Sequence, residues 1–181
     1  PATERRRAAR AADRWAARET TDPQAWRHRS WRACADAYPL SAPAPVLGRA
    51  IAAVQDVRVR DALIVEWLGG DDHAILDTLD GVASDAVEAV LGGAFGGGET
   101  VAPDPVRLAA GLRWCRRLLA YARLREHPAL LALSAVLLWW NDDLESGARC
   151  ARNALERDPT YSLAALVLEA CQAGLPPAWA R

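Results

Sequence analysis

The chain contains no lysine and no methionine, a single phenylalanine, and no pair of cysteines close in sequence. Each shortage excludes something. Without lysine there is no Gly-Lys-Ser/Thr phosphate loop and no amine for Schiff-base chemistry. All 22 basic residues are therefore arginine. Cys34, Cys115, Cys150 and Cys171 are widely separated, unlike zinc knuckles or the disulfide frameworks of small secreted domains. They sit in alanine-rich helical patterns, where a free thiol behaves as a small apolar side chain. This usage favours a reducing, cytoplasmic location. Long apolar runs are also missing. Ala129 to Trp140, interrupted only by Ser134, is the nearest approach to one and is too short to span a bilayer. The arginine-rich opening, Pro1 to Arg18, does not read as a signal peptide. The chain begins with Pro1 rather than Met, as a piece of a longer protein would.

What is present describes a helical protein. With 181 residues, 51% apolar and 25% charged, the chain can build one domain with a substantial core. Charge is unevenly spread although the net value is −1. Residues 1–32 hold nine arginines against four acids, whereas residues 61–106 hold ten acids and no arginine. Two faces of opposite sign could attract each other or serve different partners.

Apolar spacing predicts helices over residues 4–19, 23–38, 46–54, 57–68, 72–79, 84–91 and 106–125. A further helix opens at Pro128 and ends at Trp139-Trp140, and two more follow to Cys171. Asp22-Pro23 and Asp56 read as N-terminal caps, and Gly174 as a left-handed C-terminal cap ahead of Pro176-Pro177. "GGAFGGGETVAPDP", residues 92–105, reads as a linker. It would divide an N-terminal part, 1–91, from a C-terminal part, 106–181, within one compact domain. No segment reads convincingly as a strand. The fold expected is an all-α antiparallel stack of about nine or ten helices.

The tail adds a more specific pattern. Gly147, Ala148, Ala151 and Ala154 offer a face of small side chains, and Asp158-Pro159 stops that helix so that the next can fold back. Ala151, Ala154 and Asp158-Pro159 resemble the second helix of a tetratricopeptide repeat, although no second copy lies at the 34-residue period. "VQDVRVRDALI" (54–64), with Ala154, Leu155, Asp158, Pro159, Tyr161, Ser162, Leu163, Ala164 and Gly174 to Pro177, resembles the C-terminal half of the actinobacterial domain-of-unknown-function family 4192. The resemblance is weak over residues 65–105. It implies a helical fold and a further N-terminal region, and no activity.

Candidate site residues fall into three groups. Arg58, Arg60 and Asp61 lie on an otherwise apolar helix, where an arginine–carboxylate pair would lock packing or meet a ligand. Trp139, Trp140 and Tyr161 flank the tail turns and suit either a core or an interface anchor. The tyrosine is expected to pack inward near one of the two tryptophans. Arg7, Arg10, Arg14 and Arg18 belong to an arginine-rich helix able to meet phosphates. His73, Asp77 and Asp80 share a helix face and form a weak divalent-metal candidate, with no second ligand helix evident. No motif supplies a nucleophile elbow or implies a cofactor. The reading favoured is a protein-interaction or scaffolding module. An arginine-rich nucleic-acid binder is the alternative, and a metal-dependent enzyme comes third.

Overall fold

The computed structural model describes residues 2–19, 22–96 and 102–181. Ten α-helices and no strand occur among them: α1 (Ala2–Ala16), α2 (Pro23–Asp36), α3 (Ala44–Ala53), α4 (Val57–Trp67), α5 (Asp72–Asp80), α6 (Asp85–Gly96), α7 (Pro105–Leu119), α8 (His127–Trp140), α9 (Leu144–Leu155) and α10 (Ser162–Gln172). The all-α class follows directly.

Aspartates start five of these helices. The carboxylates of Asp22, Asp56, Asp71, Asp104 and Asp143 accept from backbone N–H groups in the first turn. Those donors have no intrahelical partner, and a negative charge also complements the helix N-terminus.

α8 is the axis of the core. It is apolar on every side, as a helix with no solvent face must be, and it packs against α4, α7, α9 and α10. Its one serine, Ser134, is buried and donates to Leu130 O at 2.8 Å. α9 is the opposite case, strongly two-sided. Its buried face is Gly147, Ala148, Ala151 and Ala154. A Cβ on Gly147 would lie 3.3–3.4 Å from Cys171 Sγ, Ala135 O and Trp139 N. The small face therefore lets α9 approach α8 and α10 together. Asp158 and Pro159 lie in the turn between α9 and α10, where the Asp158 carboxylate accepts from Thr160 N and Oγ1. The proline stops one helix so that the other can return along α8.

α1 sits on α3 through an equally tight contact. Ala8, Ala11 and Ala12 are buried, and a Cβ on Gly48 would fall 2.1 Å from Ala8 O. One continuous core runs from Trp26 through Leu63 and Leu118 to Trp139.

Two expected boundaries are corrected. The helix predicted over 84–91 continues to Gly96, so residues 92–96 are not linker. Each helical glycine costs about 1 kcal/mol. The packing of Val87, Val90, Leu91 and Ala94 against the core outweighs that cost. Residues 97–101 of the expected linker lie outside the described residues. The helix predicted over 106–125 ends at Leu119. Beyond it, the buried Glu126 carboxylate accepts from Arg123 N at 2.7 Å and from the Arg123 guanidinium, which turns the chain into a short 3-10 helix before α8. Gly174 has φ +64° and Leu175 N donates to Ala170 O, the closure expected after α10.

Candidate functional site

Four of the nine large apolar side chains exposed among the described residues, Val82, Phe95, Leu166 and Leu175, gather around one groove. The others include Leu40, Val106 and Leu124, which lie elsewhere. The groove encloses about 610 Å³ between α4, α5 and α6 on one side and α8 and α10 on the other. That volume is within the ~300–1,000 Å³ usual for ligand sites.

Each wall has a local cause. On α6, Val87, Leu91 and Phe95 recur every four residues and form a ridge along the groove. On α10, Leu163, Leu166, Val167 and Ala170 form the facing stripe. Trp139 of α8 closes the floor. Its ring stacks on Phe95 with centroids 4.9 Å apart, and its Nε1 donates to Leu175 O at 2.9 Å. One buried tryptophan thus fixes both the end of α6 and the tail after α10.

The polar lining is sparse. Arg58 stands at the rim beside Gly81. Its Nη1 donates to Asp80 O at 2.9 Å, and its Cζ lies 2.4 Å from where a Gly81 Cβ would be. Gly81 has φ +72°, a conformation that suits glycine. Arg181 donates through Nε to Pro176 O and through Nη2 to Phe95 O, at 3.1 and 3.4 Å. The Thr78 hydroxyl is spent on Ala74 O.

Asp61 lines the groove while its partner Arg60 is buried behind it. Arg60 Nε and Nη2 reach Asp61 Oδ1 at 2.9 and 2.7 Å, and Nη1 donates to the Tyr161 hydroxyl at 3.1 Å. Burial pushes the Asp61 carboxyl above its ordinary range, and Arg60 opposes that shift. Burial also acts against the Arg60 charge, but Asp61 and Tyr161 outweigh it and hold the guanidinium upward.

The candidates from sequence are thus separated. Arg58, Asp61 and Trp139 meet at the groove, while Arg60 and Tyr161 form a structural tie behind it. Tyr161 bonds α4, whereas Trp139 and Trp140 face Phe95 and Trp179. The expected seat of Tyr161 beside the tryptophan pair is replaced by this link. Trp140 is buried with its ring edge-on to Trp179.

No protein-family model, curated protein or solved structure matches this chain.

The metal candidate is divided. His73 Nε2 lies 3.6 Å from Asp77 Oδ2, but Asp80 turns to α2, accepting from Gln24 Nε2 at 3.1 Å and meeting His28 Nε2 at 2.7 Å. These bonds hold the Asp80 carboxyl below its ordinary range, His28 contributing most. Among the described residues, no three acidic, histidine or cysteine side chains gather as a metal site. On α1, Arg7 pairs with Glu4, and Arg10 and Arg14 are exposed; Arg18, in the turn just beyond the helix, lies over the Trp15 ring.

The α6 ridge and Leu166 are not among the site residues expected from the sequence. The four-residue spacing of Val87, Leu91 and Phe95 was a readable signal, hidden by the glycines at 92 and 93.

Proposed function

We propose that the protein is a helical binding module that receives an apolar segment of a partner protein in the groove between α6 and α10. The observation that carries this reading is the gathering of Val82, Phe95, Leu166 and Leu175 around one groove. Exposed apolar surface concentrated in this way is characteristic of interaction sites. Facing helical walls suit an amphipathic helix laid between them. The tetratricopeptide-like pattern of the tail, residues 151–159, is consistent with a scaffolding role. Membership of family 4192 belongs to the same proposal and rests on residues 54–64 and 154–177. The free cysteines support a cytoplasmic setting. No helix among the described residues is long and apolar enough to cross a membrane.

The test is binding of a labelled, leucine-faced helical peptide, followed by fluorescence anisotropy. Leu166 is 64% exposed, so Leu166→Glu leaves the fold intact while placing a charge in the groove. A loss of affinity of about tenfold or more supports the reading. Unchanged affinity places the peptide elsewhere and rejects it.

A second reading concerns α1. Arg6, Arg10 and Arg14 recur every four residues on its exposed surface and have no partner among the described residues. Such a ridge suits a phosphate backbone. It requires binding to DNA or RNA that falls steeply between about 50 and 200 mM salt. Absence of binding at the lower salt removes it.

A further inference from the structure

We infer that the occupant of the groove is an amphipathic helix of about three turns with a carboxylate near each end. The inference rests on the docking role proposed above and adds the chemistry of the partner. It comes from the positions of the two lining cations. Gly81, Val82 and Ala83 lie just before α6, and Phe95 is near its end. Arg58 is clamped over Gly81, and Arg181 donates to Phe95 O. The guanidinium groups therefore mark opposite ends of the α6 wall. From Val87 to Phe95 that wall rises about 12 Å, and three turns of a docked helix rise about 16 Å.

Between the ends, the lining offers little polar competition. Thr78 is satisfied within α5, and Asp61 is held by Arg60. The charge left in the lining is thus positive at both ends with an apolar floor between. The Arg58 guanidinium makes one hydrogen bond, to Asp80 O, so most of its fork is open to a carboxylate. Both arginines are exposed, so the charges set orientation and discriminate between partners more than they add affinity. The competing pattern comes from Asp85 and Glu88, exposed acids on α6 that are not part of the lining. If these dominated, basic ends would be preferred.

Three cross-linked helical peptides with one leucine face test the inference on the full chain. They carry Glu, Gln or Lys at both ends, and binding is read by anisotropy at about 50 mM salt. The Glu-ended peptide is expected to bind about tenfold more tightly than the Gln-ended one, and the Lys-ended peptide most weakly. Arg58→Gln should shrink the Glu-over-Gln preference to about threefold and leave the Gln-ended peptide unchanged. Arg181→Gln should act in the same way at the other end, and the double variant should abolish the preference. Equal binding of Glu- and Gln-ended peptides overturns the inference while leaving the docking role intact. Tightest binding of the Lys-ended peptide overturns it in favour of Asp85 and Glu88. Binding of none of the three overturns the docking role with it, as does saturable binding of dodecanoate alone.

Discussion

The hydroxyl of Tyr161 accepts a hydrogen bond from Arg60 Nη1 at 3.1 Å, and the guanidinium carbon stands 5.5 Å from the tyrosine ring centroid. This contact joins the start of α4 to the turn before α10. It connects the two sequence segments that carry the family resemblance. Arg60 is 8% exposed, so its N–H group has no easy replacement partner in water. Tyr161→Phe should therefore cost about 1.5 kcal/mol in denaturant unfolding. Tyr161→Ala should cost about 3 kcal/mol, because the half-buried ring is lost as well. Combined with Arg60→Met, Tyr161→Phe should be non-additive by about 1 kcal/mol. Strict additivity would sink the claim of a direct tie.

Gly48→Ala should separate α1 from α3. Its new Cβ would meet the Ala8 carbonyl, a backbone atom that cannot swing aside. Overpacking of this kind costs about 1–3 kcal/mol. Because the clash lies between these helices, faster amide exchange should be confined largely to α1. Gly92→Ala is the control, since nothing lies within 4 Å of its added Cβ. That change should be neutral or stabilise by up to about 1 kcal/mol. Reversal of the two outcomes would contradict the packing described.

Much of this arrangement was legible in the sequence, for identifiable reasons. Asp22-Pro23, Asp56 and Gly174 mark their helix ends because caps depend on a few neighbouring residues. Asp158-Pro159 is legible on the same ground. The end of α7 was not, because Glu126 acts back on Arg123 only once it is buried under the fold. The extent of α6 was also obscured, since tertiary packing overrides the propensity of Gly92 and Gly93. The groove itself was the least legible feature. Arg58 and Asp61 stand out together as polar groups on an apolar helix and Trp139 as an aromatic beside a tail turn, and nothing periodic relates α6 to α10.

Asp80 predicts a specific acid sensitivity. Its carboxyl is held below the ordinary range, chiefly by His28 and then by Gln24. A depressed acid contributes stability that is present above its unfolded pKa, about 4, and lost as pH falls through the folded value. The wild type should thus lose more stability on acidification below about pH 4 than Asp80→Asn does. Parallel pH profiles for the two proteins would contradict the His28–Asp80 link.

The thiols should differ in reactivity. Burial pushes Cys115 up to about 12 and raises Cys34 as well, both fully buried; it also raises Cys150, which is only partly buried and sits beside Arg149, whose charge opposes the shift. Only the thiolate reacts. In the folded protein at about pH 8, a disulfide reagent should label Cys150 well ahead of Cys34 and Cys115. Equal labelling of Cys34 under native conditions would show that the α2 packing is looser than described.

The most direct measurement for the docking role is a methyl NMR spectrum of the full chain titrated with the Glu-ended helical peptide. Saturable shifts should concentrate on Val87, Leu91, Leu166, Val167 and Leu175, and spare the exposed Leu40 and Leu124 on other surfaces. The same titration of Leu166→Glu should leave those groove signals unmoved. Shifts centred on Leu40 or Leu124, or a spectrum unchanged at saturating peptide, would contradict a partner-binding groove between α6 and α10.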